Sequence, residues 1–337
     1  MTDSAALHAR TLTLDSHIDI PWPDGPDPFS ESSRCVDLPK MRRGGLAAGC
    51  FVAYVPQGPR TDAASAAAFD RALAMLQAIH AMGAGGGGTA ARVATSADAV
   101  EAAHRAGAIA VIPVVENAQA IGPDLSRIAV FAGRGVRYVT LTHNGHNALA
   151  DAAIPRAELG DPQALHGGLS PLGRQAVREM NRLGIMVDVS HTAKTTMMQA
   201  ASWSRTPVVA SHSCARALSD HPRNLDDEQL DALRDAGGVI QITAMPAFLR
   251  RGAPEASITV ADLVTHIDYA VRRIGLEHVG ISSDFDGGGG ISGWRNAAES
   301  GNVTAELCAR GYDAGAIAAL WGGNFLRVMR AAEALAA

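Results

Sequence analysis

A chain of 337 residues with 47% hydrophobic but only 4% aromatic residues can bury a large core, which must be built from Ala, Val, Ile and Leu. The net charge of −5, without a long basic block, excludes nucleic acid and anionic membrane surfaces as partners. The polar start Met1-Thr2-Asp3-Ser4-Ala5 has no secretory h-region, no apolar run reaches about 18 residues, and Cys35, Cys50, Cys214 and Cys308 are scattered without CxxC spacing. A cytoplasmic protein with reduced thiols and no membrane span is expected.

In chain order, apolar and β-branched runs predict strands at Leu12–Ser16 and Gly49–Val55, followed by amphipathic helices at Ala63–Met82 and Ser96–Ala106. Strands follow at Ala108–Val115 and Val136–Thr142, then a helix at Pro171–Leu183, a strand at Ile185–Ser190 and a helix at Ala193–Trp203. The remaining pattern is strand Pro207–Ser211, helix Asp226–Ala236, strand Val239–Thr243, helix Val260–Ile274 and strand His278–Ser283, with helices at Ala314–Leu320 and Gly323–Ala336 closing the chain. Runs this continuously apolar suit parallel strands buried on both faces. The alternation predicts an α/β protein, a single (β/α)8 TIM-type barrel domain spanning residues 1–337 with extra C-terminal helices. The tract Ala81–Gly88, with four consecutive glycines, reads as a flexible surface loop.

The residues that end these runs carry the chemistry. His17 and Asp19, an i,i+2 pair that projects to one side of an extended segment, follow the first run. Glu116 ends the third, His143 the fourth, His191 the fifth, His212 the sixth and Asp284 the eighth. In a barrel these ends converge on one mouth, where enzymes of this fold place their active sites. His191 and His212 share the local pattern Val-x-x-Ser-His, and His146 rivals His143 from three residues on. Imidazoles with a bridging carboxylate form a donor set for two divalent ions, zinc first and manganese, cobalt, iron or nickel by the same donors. A water between such ions becomes hydroxide near neutral pH and attacks a carbonyl carbon. Asp284 is placed to move its proton, His143 to stabilise the oxyanion, and Arg223 at the rim to hold a substrate carboxylate.

These motifs resemble the membrane (renal) dipeptidase family, peptidase family M19, of the amidohydrolase superfamily. The likeness runs from Asp15-Ser16-His17-Ile18-Asp19-Ile20-Pro21-Trp22 through Glu116-Asn117, Tyr138–Asn144, Val187–His191, Ser211-His212-Ser213, Arg223–Asp227 and Asp284–Gly287 to Gly322-Gly323-Asn324-Phe325-Leu326-Arg327. The resemblance implies that His17 and Asp19 hold one zinc, that His191 and His212 hold the other, and that Glu116 bridges them. It further implies Asp284 as acid/base, His143 on the scissile carbonyl, and Arg223 with Asn224 on the C-terminal carboxylate of a small L-L or L-D dipeptide. A homodimer is also implied. A deacylase or lactonase using the same metals is the second reading, and a silent binding barrel the third. One departure stands out: glycines follow the bridging Glu in mammalian members, whereas Asn117-Ala118 follow it here. The glycine-rich stretch after Asp286 reads as a flexible lid.

Overall fold

The computed structural model describes residues 3–20, 23–86 and 88–336. Pro21 and Trp22 of the first motif, and Gly87 of the glycine tract, lie outside the described residues.

The strands are β1 (Leu14–Asp19), β2 (Ala48–Tyr54), β3 (Ala91–Val93), β4 (Ile109–Glu116), β5 (Tyr138–Thr140), β6 (Met186–Asp188), β7 (Val209–Ser213), β8 (Val239–Thr243) and β9 (Val279–Ser282). All pairings between them are parallel, in the order β1-β2-β4-β5-β6-β7-β8-β9, with β3 added beside β4. The barrel is nearly closed. Asp19 N–H donates to Phe285 O at 3.0 Å and Asp284 N–H to His17 O at 3.2 Å, joining the last strand end to the first. All eight expected strands are present. β3 was not anticipated, because three residues are too few to show a period.

Alternation sorts the strands into two cores. From β2 and β4, Ala48, Cys50, Val52, Ala110, Ile112 and Val114 fill the barrel interior, while Phe51, Ala53, Val111 and Val115 face the surrounding helices. Glu116 shares the parity of Ala110, Ile112 and Val114, so the same period that fills the interior sends its carboxylate into the mouth. The register shifts in β1 between Asp15 and Ile18, and in β7 between Ala210 and Ser213. A bulge changes which face the following residues present. Leu14 accordingly packs inside and Ile18 outside, and His17, Asp19 and His212 are released toward the mouth.

The helix Asn324–Leu335 plugs the opposite end, with Phe325, Val328 and Met329 in the interior core. Asn324 Nδ2 donates to Leu276 O and Val279 O, both at 2.7 Å, and Arg327 Nη1 to Gly237 O at 2.7 Å. A Cβ on Gly322 would stand 2.9 Å from Leu12 O, so the turn entering this helix requires glycine. The C-terminal Gly-Gly-Asn-Phe-Leu-Arg motif is thus the floor of the barrel. Among the described residues, no helix is long and apolar enough to cross a membrane, and the four cysteines are free thiols.

Candidate active site

Seven strand-end residues meet in one cavity of about 510 Å³ at the C-terminal mouth: Asp19, Glu116, His143, His191, His212 and Asp284 line it directly, and His17 sits just beneath. Glu116 is the hub. Its Oε1 lies 3.1 Å from His191 Nε2 and 3.5 Å from His212 Nε2, while Oε2 lies 3.7 Å from His17 Nε2. His17 Nε2 is in turn 3.8 Å from Asp19 Oδ2. One carboxylate oxygen therefore faces the His191/His212 pair and the other faces the His17/Asp19 pair. Three groupings keep their donor atoms within 4.8 Å of one another: His17–Glu116–His212, Glu116–His143–His191 and His17–Asp19–Asp284.

The second layer fixes which nitrogen each imidazole offers. His17 Nδ1 meets Tyr138 Oη at 2.8 Å, and that hydroxyl donates its own proton to Ser16 O at 2.9 Å. His212 Nδ1 meets Ser211 Oγ at 2.9 Å, whose proton goes to Asp188 Oδ2 at 2.6 Å. His191 Nδ1 meets Asn144 Oδ1 at 3.1 Å. In each case the partner oxygen accepts, so Nδ1 carries a proton and Nε2 is the nitrogen that faces Glu116. Histidine ligands in metal sites are oriented in this way.

Electrostatics agree with the geometry. Burial, reinforced by the charge of Arg223, holds His191 well below the ordinary histidine range; burial, then His17 and Arg223, does the same for His212. His17 behaves oppositely: burial disfavours its charge, but Glu116, Asp19 and Asp284 outweigh it and raise the group to about 10. Burial pushes Asp284 up to about 7 and Asp19 well above the usual carboxylate range, with Glu116 contributing to both. Clustered buried carboxylates thus create a field that demands a positive charge, and a divalent ion satisfies it in competition with the His17 proton.

Every described non-glycine residue with positive φ belongs to this mouth: Asn117 at 79°, His191 at 66°, Asp284 at 59° and Asp286 at 65°. Such conformations cost about 1–3 kcal/mol each and persist where their surroundings enforce them. Asn117 explains the departure beside Glu116, since Asn is among the residues that best tolerate a conformation favouring glycine. Its side chain is tied to Val55 O at 3.1 Å and Gln57 Oε1 at 3.3 Å.

His143 lines the cavity, whereas His146 is a buried pin, accepting from Ala152 N–H at 3.0 Å and meeting Pro162 O at 2.9 Å. Burial lowers His143, so it is a neutral imidazole able to donate. Arg223 is buried at 3% exposure, stacks 5.2 Å from the Phe248 ring centroid, reaches His212 O at 3.4 Å, and has no ion-pair partner among the described residues. Asn224 does not line the cavity. Its amide nitrogen donates to Ser219 O and Phe248 O, each at 2.8 Å. The glycine-rich stretch is tied down rather than loose: Gly287 and Gly289 N–H both donate to Asp284 O, and Gly290 N–H to Ala244 O. A side chain at Gly287 would strike the carboxylates of Asp19 and Asp284. Asp286 accepts from Cys35 N–H at 2.9 Å and Val36 N–H at 3.1 Å and pairs with Arg34 at 2.9 Å, fastening the segment after β1 to this turn.

At the other two strand ends sequence reasoning singled out no residue. Tyr54 ends β2 with its ring 4.9 Å edge-on to His143, and burial raises its hydroxyl to about 12, so it stays protonated. After β8, Met245 and Phe248 form an apolar wall. Strand-end position alone pointed to both; neither residue type signals metal chemistry.

The family model for membrane dipeptidase (peptidase family M19) matches residues 1–337. Dipeptidase tcpJ of Claviceps purpurea is 38% identical over 234 residues, covering 69% of this chain and 53% of the relative, so the chain spans about half the length of that protein. The crystal structure of the probable dipeptidase PvdM from Pseudomonas aeruginosa superposes with a TM-score of 0.93 at 32% identity, covering 99% of this chain and 98% of that one. A metallopeptidase from Rhodobacter sphaeroides, solved with a phosphinate mimic of L-Ala-D-Ala, superposes with a TM-score of 0.85 at 29% identity, covering 96% and 99%. The barrel, its strand-end constellation and the match along its whole length agree: this chain belongs to the membrane dipeptidase family, peptidase family M19.

Proposed function

We propose that this protein is a metal-dependent dipeptidase, a single catalytic domain that hydrolyses small L-L and L-D dipeptides. The observation that carries the reading is one cavity holding both a Glu116-centred donor cluster and a buried guanidinium without a carboxylate partner among the described residues. The donor set fits two divalent ions, zinc first: His17 and Asp19 on one side, His191 and His212 on the other, and Glu116 between them. Ions held there supply Lewis acidity, polarising a carbonyl and easing the ionisation of water.

The chain's own groups do the rest. Asp284, buried and adjoining the donor cluster, takes a proton from the attacking water and returns it to the leaving amine. Neutral His143 donates a hydrogen bond where negative charge develops on the carbonyl oxygen. Arg223 receives the C-terminal carboxylate, which favours a dipeptide over a lactone lacking that group. A cavity of about 510 Å³ suits a dipeptide-sized ligand. The L-D assignment is supported by the L-Ala-D-Ala mimic bound to the Rhodobacter relative. A cytoplasmic location, supported by four free thiols, and a homodimeric state belong to the same proposal.

Arg223→Ala tests the anchor. A hydrogen-bonded charge contact is worth about 1.5–3 kcal/mol, so kcat/KM for a dipeptide should fall roughly 10- to 100-fold through KM, with metal content unchanged. An unchanged KM would count against the dipeptide reading.

A further inference from the structure

Among the described residues, the hydrogen bond of the Arg223 guanidinium is a long one to His212 O, at 3.4 Å. That is too little to aim a planar cation at a carboxylate. Two buried polar side chains build the wall that does so. Asn224 donates to Ser219 O in the loop after β7 and to Phe248 O in the loop after β8, both at 2.8 Å. His266, only 2% exposed on the helix Val260–Ile274, accepts from Ala215 N–H at 3.1 Å and donates to Leu249 O at 3.0 Å. Each side chain joins the same two loops. Because Phe248 lies against the guanidinium, the separation of those loops sets where Arg223 points. Arg251 N–H, donating to Ser219 Oγ at 3.0 Å, closes the rim of the brace.

We propose that Asn224 and His266 are positioning residues for the substrate carboxylate, locking the two loops so that Arg223 and Phe248 form one preformed surface. This rests on the reading of Arg223 as the carboxylate anchor. His266 lies on a peripheral helix behind that wall and does not line the cavity, so its effect is transmitted through Ala215 and Leu249. A preorganised contact is sensitive to displacements of about 1 Å, which can cost up to about 10²-fold.

The test is steady-state kinetics on a dipeptide, inhibition by the corresponding dipeptide amide, and metal content, for Asn224→Ala, His266→Ala and His266→Gln. Both alanine variants should raise the dipeptide KM by about tenfold or more, with kcat changed by less than about twofold. Amide inhibition and metal content should stay at parental values. His266→Gln offers an acceptor oxygen and a donor nitrogen, and should recover most of the KM. Equal losses for dipeptide and amide, or a fall in kcat without a rise in KM, would overturn the brace. If an alanine variant does not fold, Asn224→Ser, which keeps one donor, takes its place: an intermediate KM supports the brace and a parental KM overturns it. Arg223→Ala run in parallel separates the failures. If its KM is parental, the anchor reading falls; if its KM rises while the Asn224 and His266 variants bind normally, the brace alone falls.

Discussion

A His191→Gly variant is expected to stay folded, to hold about one divalent ion per chain where the parent is expected to hold two, and to lose about 10³-fold or more in kcat/KM. His191 stands at φ 66°, so glycine relieves backbone strain rather than adding it, and a loss of function cannot be assigned to a broken turn. Its Nε2 faces Glu116 Oε1 at 3.1 Å, with Asn144 holding the other nitrogen. Removing this donor leaves His212 and one Glu116 oxygen to hold the second ion. An ion that contributes several kcal/mol of charge stabilisation is worth at least about 10³-fold in rate. Metal analysis by mass spectrometry alongside kinetics checks both halves, and a variant with two ions and full activity would remove the binuclear assignment.

Asp284→Asn should do the reverse, retaining both ions while turnover falls about 10²- to 10⁴-fold, the usual contribution of a positioned acid/base. Asn preserves the shape demanded at φ 59°, where it is well tolerated, and keeps an oxygen for the local contacts. What it cannot do is exchange a proton. Substrate KM should change little, because Arg223 and Phe248 are intact. Loss of metal in this variant would instead make Asp284 a ligand, in line with its place beside His17 and Asp19.

Much of this site was legible in the residues themselves. His17-x-Asp19, Glu116, His191, His212 and Asp284 each follow an apolar run, and barrel topology alone brings such ends together. The bulges in β1 and β7 were not legible, since a shift in register depends on the partner strand rather than on local composition. They move His17, Asp19 and His212 inside strands that composition ends too early. The choice between His143 and His146 was likewise settled only by the fold, where His146 is consumed by Ala152 and Pro162. Asn224 was read as a substrate contact from its place beside Arg223, but its amide faces the neighbouring loop. The glycines after Asp286 suggested mobility. In the structure they permit close approach: Gly287 passes two carboxylates, and Gly289 would otherwise meet Ser283 O. Tyr54 went unseen because an aromatic residue at a strand end looks like core until the cavity exists.

The central claim is that one mouth binds two divalent ions and cleaves dipeptides. The most direct measurement is metal stoichiometry on the purified protein, with chelation and re-addition of zinc, coupled to amino-acid release from a panel of L-L, L-D and D-L dipeptides. The account predicts two ions per chain, loss of turnover on chelation, recovery with zinc, and release of free amino acids from the L-L and L-D members. A protein that holds two ions yet cleaves no dipeptide, or that cleaves dipeptides equally well after complete chelation, would contradict it.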